Sequence, residues 1–306
     1  MYHNSKKHSA WLLFSGLLLI SAIPAQAATV GASSAVLYDE GWSGLTQING
    51  PGGNISTVSY TSNIGLSAGA YGDASYGALH ASASSVAAGD HTQTRAQGSA
   101  YWIDQLTISS TTQTGTAFAR ASFFLTGGLA SYSDPLSAGA VGNSTVSATV
   151  SINGGTVFST TGQLVSRNGA IITDDKRLGL AVNGVYDTNP SSSLTGVFSF
   201  DIPFTFVTSF QMFTSLTAFT QAMASAPGDL ASAYSNFGSS GYWGGISDIH
   251  LADGTVLSGY SLTSDSGFDW NNAYPAAAPV PVPAAWWLFG SGWLGLIGVA
   301  RRKKAA

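Results

Sequence analysis

Apolar and polar residues alternate along the middle of the chain in short runs, with the period of two that is typical of β-strands. The clearest run covers residues 99–111. Its two faces would be Tyr101, Ile103, Gln105 and Thr107 on one side and Trp102, Asp104, Leu106 and Ile108 on the other. The pattern predicts a strand with one face towards a core.

Further strands follow in both directions. Runs rich in Val, Thr and Phe, bounded by Gly, Pro or Asn-Gly, predict strands at residues 117–125, 144–152, 194–201 and 204–213. Asn153-Gly154-Gly155 and Ala252-Asp253-Gly254 each separate two such runs and predict hairpin turns. These turns would make their flanking strands antiparallel neighbours.

Two segments are more ambiguous. Residues 216–234 contain enough alanine for a helix, but Pro227 and Gly228 interrupt them and alternate positions fit a period of two, so a pair of strands is favoured. Residues 65–88 are almost all small and predict a flexible or edge segment. Together the runs predict an all-β protein, with a single antiparallel, jelly-roll-like β-sandwich over residues 28–274 and little helix.

Residues 1–27 have the three parts of a secretory signal peptide. Lys6 and Lys7 precede an apolar core at residues 11–20, which is too short to span a bilayer stably. Ala25 and Ala27 form a small-x-small cleavage site, so Ala28 would be the mature amino terminus. This leader predicts export by the secretion machinery and cleavage by signal peptidase.

The other end of the chain predicts a membrane anchor. A proline-rich linker at residues 275–283 leads into residues 284–300, which carry no charge and are just long enough for a transmembrane helix. The basic tail, residues 301–306, contains Arg301, Arg302, Lys303 and Lys304. These charges would stay in the cytoplasm, retain the helix in the inner membrane and place the body outside the cytoplasm.

The order of residues in this tail resembles a PEP-CTERM sorting domain. The similarity is carried by Val280, Pro281 and Pro283, by residues 287–292 and 294–298, and by the Arg301-Arg302 pair. Val282 stands where the name-giving motif has a glutamate between two prolines, which makes this a Val-Pro-Val-Pro variant. Residues 99–108 and 260–270 are also similar to segments that recur in PEP-CTERM proteins of all-β fold.

The resemblance implies an exosortase substrate of a Gram-negative bacterium. Its sorting motif would be Val280, Pro281, Val282 and Pro283, and an exosortase would cut near it after transient anchoring in the inner membrane. The product would be a protein of the cell surface or extracellular matrix, associated with exopolysaccharide or biofilm. The alternative is a plain tail anchor that is never processed.

Composition limits the function of the body. Between the leader and the tail lie five basic and fifteen acidic residues, a formal net charge of −10, which argues against nucleic acid as a partner. Charged residues are only 8% of the chain, so hydroxyl and amide groups must keep the surface soluble. Because there is no cysteine, disulfides, thiolate metal sites and a cysteine nucleophile are excluded.

Catalytic patterns are weak, and no cofactor or metal site is predicted. Residues 65–69 match G-x-S-x-G, but they lack the strand and helix that a nucleophile elbow needs. The histidines of the body are far apart in sequence and are interpreted as structural; they are His80, His91 and His250. Asp174 and Asp175 are interpreted as a solvated turn.

Asp265 and Asp269 offer oxygen ligands for calcium, but their spacing does not fit an EF-hand. Two hypotheses remain for the body. The favoured one is a non-enzymatic surface or matrix protein, and the other is a carbohydrate-binding or glycan-processing module. The second hypothesis needs exposed aromatic side chains, and its candidates are Trp42, Tyr101, Trp102, Tyr242 and Trp243. Core packing is the competing role for these rings.

Overall fold

The computed structural model describes residues 28–38, 41–50, 55–63, 65–137, 139–178 and 195–274. These residues form β-strands and connecting turns. The strands are β1 (Thr29–Tyr38), β2 (Gly41–Gly50), β3 (Ile55–Asn63), β4 (Leu66–Ser75), β5 (Ala78–Ala88), β6 (Thr92–Ser110), β7 (Thr116–Leu125), β8 (Gly128–Ser133), β9 (Val141–Ile152), β10 (Gly155–Arg167), β11 (Ala170–Leu178), β12 (Gly196–Thr205), β13 (Phe210–Ala224), β14 (Leu230–His250), β15 (Val256–Leu257) and β16 (Tyr260–Ser264). The prediction of an all-β protein is confirmed.

The strands form two antiparallel sheets that pack against each other. Sheet A has the order β11-β10-β9-β13-β6-β1-β2, with β16 also paired to β6. Sheet B has the order β12-β7-β14-β5-β4-β3, with β8 and β15 also paired to β14. Most buried apolar side chains of both sheets belong to one large hydrophobic core, and a second, small cluster contains Leu66, Ala87, Ala140, Ala222, Ala224 and Ala231. The arrangement is that of a β-sandwich.

The chain passes repeatedly from one sheet to the other. β5 pairs with β14 in sheet B, β6 pairs with β13 in sheet A, and β7 pairs with β12 in sheet B. These pairings are nested along the chain, and at their centre is the β9–β10 hairpin of sheet A, whose two strands are consecutive. Strands far apart in sequence are therefore neighbours, and the last long strands, β13 and β14, pair with β6 and β5.

Most of the strand predictions are confirmed. β6 includes the run at residues 99–108, and its inward face carries Trp102, Asp104, Leu106 and Ile108, all fully buried. Residues 216–234 form parts of β13 and β14, with Pro227 and Gly228 in the turn between them. This turn confirms the pair of strands over the helix.

The two predicted hairpins are present. Asn153 and Gly154 have positive φ angles of 48° and 82°, as a tight two-residue turn between right-twisted strands requires. The second hairpin joins β14 to β15, where His250 pairs with Val256. β15 is only two residues long, because the chain then leaves for sheet A and pairs with β6 as β16.

The prediction of one strand over residues 204–213 is wrong. β12 ends at Thr205, a turn follows in which Val207 has a φ of 65°, and β13 begins at Phe210 in the other sheet. Pro203 lies within β12, which is acceptable because β12 is at the edge of sheet B and, among the described strands, pairs only with β7. The apolar residues on both sides of the turn conceal it in the sequence.

Residues 65–88 are not a flexible or edge segment. They form β4 and β5, and each of these strands pairs on both sides. A Cβ atom built on Gly98 of sheet A would lie 2.0 Å from the backbone oxygen of Tyr71 in sheet B. A Cβ atom on Gly72 would lie 2.3 Å from the oxygen of Ser99. The small residues thus allow the two backbones to touch.

Elsewhere the sheets are held apart by large side chains. Phe158 of sheet A packs against Phe123, Phe198 and Phe200 of sheet B, with ring centroids 5.3–6.3 Å apart. Three tryptophans lie beside this cluster and are described below. Aromatic side chains bury large apolar areas, so this part of the core contributes strongly to the stability of the fold.

Candidate functional site

Two Tyr-Trp pairs occupy facing strands of the sandwich, and each pair divides its side chains between core and surface. Trp102 on β6 and Trp243 on β14 are buried, and their rings meet at 6.1 Å in the core. Tyr101 and Tyr242 are partly exposed on the outer faces of sheets A and B. The alternation of strands causes this division, because neighbouring residues point to opposite faces.

Of the sequence candidates for sugar stacking, Trp102 and Trp243 therefore serve the core. Tyr101 and Tyr242 remain candidates, since each keeps part of its ring in solvent. Trp42 lies in β2, opposite Leu37 of β1.

A third tryptophan completes the core cluster and fixes the last described segment. Trp270 packs 4.5 Å from Trp102 and 5.4 Å from Trp243, and its carbonyl accepts a hydrogen bond of 2.8 Å from the Trp243 indole. Its own indole nitrogen donates to Oδ2 of Asp104 over 2.7 Å. Asp104 is fully buried and also accepts bonds from the hydroxyl and the backbone of Ser266 and from the Gln105 backbone.

This network holds residues 265–274 against the sandwich. Tyr274 donates its backbone N–H to the Trp243 carbonyl over 2.8 Å, and Phe268 packs against Trp270 at 4.5 Å. The spacing predicts Asp104 on the inward face but does not predict its role as a hydrogen-bond acceptor. The available signal was a carboxylate in phase with three apolar residues, since a buried carboxylate requires donors.

Four partly exposed rings follow one another through ring contacts, and we call them the aromatic row: Phe124, Tyr242, Tyr274 and Phe268. Successive centroids are 6.4, 5.8 and 6.3 Å apart, and successive ring planes differ by only 18°, 16° and 19°. Two rings come from sheet B and two come from the segment that Asp104 fixes. The Phe268 and Tyr274 rings lie over Gly77, where a Cβ atom would be 2.6 and 2.7 Å from them.

A carboxylate and an imidazole border the row. His80 lies 5.5 Å from Tyr242 in an edge-to-face arrangement, and its Nδ1 is 3.0 Å from Oδ2 of Asp73. Both side chains retain some exposure, 19% for His80 and 25% for Asp73. Burial, followed by the nearby Tyr274 and Asp73, raises the pKa of Tyr242, so its hydroxyl stays protonated at neutral pH. The site therefore combines apolar rings with neutral and anionic hydrogen-bonding groups.

The other histidines lie elsewhere and pair with their own carboxylates. His91 contacts Asp90 in an exposed turn. His250 is bonded to Asp248 over 2.9 Å and stacks on Phe118. Within the part of the chain that the structure describes, no group of three or more potential ligands is placed to hold a metal ion. The interpretation of the three histidines as hydrogen-bonded structural residues agrees with these contacts.

The remaining candidates do not assemble into a catalytic site. The G-x-S-x-G match at residues 65–69 runs into β4 and is followed by a strand, so it is not a nucleophile elbow. Asp174 and Asp175 lie within β11, opposite Leu164 and Gln163, so their interpretation as a turn is wrong. The run of charged residues suits a strand at the edge of a sheet, where charge discourages pairing with other chains.

The suggested calcium ligands have other tasks. The Asp269 carboxylate accepts hydrogen bonds from the Asn272 side chain and then from the Asn271 backbone, and these bonds lower its pKa. Asp265 is exposed at the end of β16. The Asp269 carboxylate therefore shapes the turn around Trp270, at residues 269–272, and Asp265 contributes a backbone N–H bond to the Gln105 carbonyl.

The predicted processing sites lie outside the described residues. This applies to Ala25 and Ala27 of the leader, and to the motif and tail residues Val280, Pro281, Val282, Pro283, Arg301, Arg302, Lys303 and Lys304. Ala28 is described, is buried and directly precedes β1. None of the described residues belongs to a helix that is long and apolar enough to cross a membrane.

Comparisons of the chain with protein-family models, with curated proteins and with solved structures found no match.

Proposed function

We propose that this chain is an exported, non-enzymatic protein of the cell surface or extracellular matrix, sorted through its carboxy-terminal signal. The support comes from the sequence: a cleavable leader ending at Ala27, a proline strip, an uncharged span at residues 284–300 and a basic end. An exosortase cuts the precursor near Pro281 and Pro283 while the span holds it in the inner membrane.

We also propose that the exported domain is a jelly roll. The strand orders β12-β7-β14-β5 and β10-β9-β13-β6 support this assignment, because they arise when a long antiparallel ribbon winds into two four-stranded sheets. The other strands extend the sheets at their edges. A domain of this form presents two broad outer faces.

The task of the domain, in this proposal, is to bind a polysaccharide. The observation that carries it is the aromatic row beside the Asp73–His80 pair. The C–H groups of sugar rings pack on aromatic side chains, while sugar hydroxyls donate to carboxylates and exchange hydrogen bonds with tyrosine. Sites of this kind combine apolar contact with a few fixed polar groups.

Binding is favoured over glycan processing. Asp73 is paired with His80, whereas glycoside hydrolysis uses two carboxyl groups placed across the scissile bond, about 5–9 Å apart. The polymer is expected to be neutral, because the body has a formal net charge of −10 and repels polyanions.

Sorting is tested by mass spectrometry of protein released from the surface of the producing cell. The expected protein begins at Ala28 and lacks residues 284–306. Replacing Pro281 and Pro283 by alanine lets helix extend into the strip and should leave uncut precursor, while Pro275→Ala is the matched control. Released protein that still contains residues 286–306 would restore the plain tail anchor.

Binding is tested with the full chain in a detergent without a sugar head group. Galactomannan, mixed-linkage β-glucan and dextran are the neutral probes, and alginate is the anionic one. Tyr242→Ala should weaken binding of the best neutral polymer about fivefold, the factor equivalent to ~1 kcal/mol of aromatic contact. Tyr234→Ala is the matched control, since Tyr234 is an exposed tyrosine of the same strand outside the row. Equal loss in both variants, or binding of alginate alone, would contradict the proposal.

A further inference from the structure

The outer face of sheet A carries an ordered array of uncharged, mostly polar side chains and lies opposite to the face of sheet B that carries Phe124 and Tyr242. We call it the hydroxyl–amide grid. Cross-strand pairing places its twelve residues in three rows of four: Tyr101, Ser215, Thr149 and Ser159; Ser99, Thr217, Ser147 and Thr161; Gln97, Phe219, Thr145 and Gln163. β6, β13, β9 and β10 each contribute one residue to every row.

The chemistry of the grid suits a neutral, hydroxyl-rich ligand. Its members are eight Ser or Thr hydroxyls, two amides and two aromatic rings, and none of them carries a charge. Tyr101 also packs 5.9 Å from Phe213, which lies on the same face just outside the grid. Hydroxyls and amides both donate and accept hydrogen bonds, as sugar hydroxyls do.

Much of this hydrogen-bonding capacity is unused. Ser99 is itself buried and bonds to Thr217 over 3.1 Å, and Gln163 donates to Asn143 over 3.2 Å. Other hydroxyls of the grid make no hydrogen bond to any described residue; they are Ser147, Thr149, Ser159, Thr161 and Ser215. They remain available to solvent or to a ligand.

The grid and the aromatic row lie back to back. Tyr101 belongs to the grid and Tyr242 to the row, and the tryptophans that follow them touch in the core at 6.1 Å. Packed sheets are separated by about 10 Å, so the two surfaces face in opposite directions across the thickness of one sandwich. A stiff glycan chain that lies on one face cannot also reach the other.

We propose that the hydroxyl–amide grid is a second binding site for neutral polysaccharide, so that one molecule joins two glycan chains. This inference rests on the proposed function, because it assigns to the aromatic row the first of the two sites. The protein then cross-links the polysaccharide chains of its matrix and does not merely attach to them. Linking two sites in one molecule also raises the effective affinity for a dense polymer network.

Three variants of the full chain separate the two sites. Thr149→Glu/Thr217→Glu puts two carboxylates in the middle of the grid, and Tyr242→Ala disrupts the row. Ser261→Glu/Thr263→Glu is the charge-matched control, because both residues are exposed on β16 of the same sheet but outside the grid. Circular dichroism and urea denaturation must first show that all variants fold as the wild type does.

Cross-linking is measured by light scattering of the best-binding neutral polymer, and stoichiometry by calorimetry with a short oligomer of it. For the wild type and the control we expect two oligomers per chain, with scattering that rises and then falls as protein is added. The grid variant should bind one oligomer and lose the scattering. Tyr242→Ala should weaken one of the two sites about fivefold and reduce the scattering, and the combined variant should bind one oligomer about fivefold more weakly than the grid variant does.

Other outcomes distinguish a failure of the proposed function from a failure of this inference alone. If the wild type binds no neutral polymer, both the proposed function and this inference are wrong. If the grid variant still scatters like the wild type, or if Tyr242→Ala removes all binding, the grid is not a second site although the proposed function stands. If the wild type sediments as a dimer that the grid variant converts to a monomer, the grid instead binds another copy of this chain, and the inference is overturned.

Discussion

Replacing Asp104 tests how the end of the domain is attached to its core. Both oxygens of this fully buried carboxylate accept hydrogen bonds: Oδ2 from the Trp270 indole at 2.7 Å and from the Ser266 hydroxyl, and Oδ1 from the backbones of Gln105 at 2.9 Å and Ser266 at 3.1 Å. Every contact comes from a donor. An asparagine has the same shape, but its NH₂ group would face donors whichever way it is turned.

The expected loss is large for a change that preserves volume. An unsatisfied buried donor costs ~1–3 kcal/mol, and Asp104→Asn leaves at least two of them while removing the charge that attracts them. We therefore expect Asp104→Asn and Asp104→Ala each to lower the free energy of unfolding by about 3 kcal/mol. Asp265→Asn should stay within about 0.5 kcal/mol of the wild type, because Asp265 is exposed in the same segment.

Urea denaturation followed by tryptophan fluorescence measures these differences, since Trp102, Trp243 and Trp270 share the cluster that Asp104 orders. A double-mutant cycle with Trp270→Phe removes the indole donor, and the cost of Asp104→Ala should fall in that background by ~1–3 kcal/mol. An Asp104→Asn variant as stable as Asp265→Asn would refute the account of a carboxylate held by four donors.

Three further perturbations test other parts of the structure. Gly98→Ala should lower the free energy of unfolding by about 3 kcal/mol in urea titrations, because its Cβ atom would lie 2.0 Å from a backbone oxygen. Gly155→Ala is the control and should be tolerated, because the nearest atom to its Cβ would be 3.4 Å away. Equal effects of the two substitutions would refute the close packing of the sheets. Burial and then Asp104 raise the pKa of Tyr76 to about 12, so this tyrosine stabilises the fold fully below pH 10 and its contribution is lost as the pH rises towards 12. Tyr76→Phe should abolish that alkaline loss in pH-dependent urea midpoints, without harm at neutral pH because no described residue bonds to the buried Tyr76 hydroxyl. Hydrogen bonds lower the pKa of Asp229, first from the Ser137 hydroxyl and then from the Ser225 and Ala226 backbones. The stability that Asp229 contributes is therefore present above about pH 4 and is lost as the pH falls further. Asp229→Asn should flatten the acid side of the plot of urea midpoint against pH.

Local sequence signals predicted much of the sandwich. The alternation in β6 placed Trp102 and Asp104 on the buried face, and Asn153-Gly154 predicted the β9–β10 hairpin. These signals depend only on neighbouring residues, through the pleat of a strand and the φ angles that a tight turn requires. They apply wherever the chain folds back on itself at once.

The errors arose where the deciding contact is distant in sequence. The small residues of β4 predict a flexible segment, but Gly72 lies against Ser99 of the opposite sheet, and that contact makes β4 an ordered part of the interior. Phe206 and Phe210 are both buried although a turn separates them, so hydrophobicity alone continued the strand across the turn. Sequence propensity describes the conformations that a residue can adopt, whereas tertiary packing decides which of them it adopts in the folded protein.

The aromatic row depends on the same kind of distant contact. Phe124 and Tyr242 are cross-strand partners, but Tyr274 and Phe268 join them through a segment that is held to the core in large part by the bond between Trp270 and Asp104, 166 positions earlier in the chain. If the segment after β16 detaches, half of the row goes with it. Asp104→Asn should therefore weaken polysaccharide binding even under conditions where the rest of the sandwich remains folded, while Asp265→Asn should not. Full binding by an Asp104→Asn variant whose segment is shown by hydrogen exchange to be open would mean that Phe124 and Tyr242 suffice as the site.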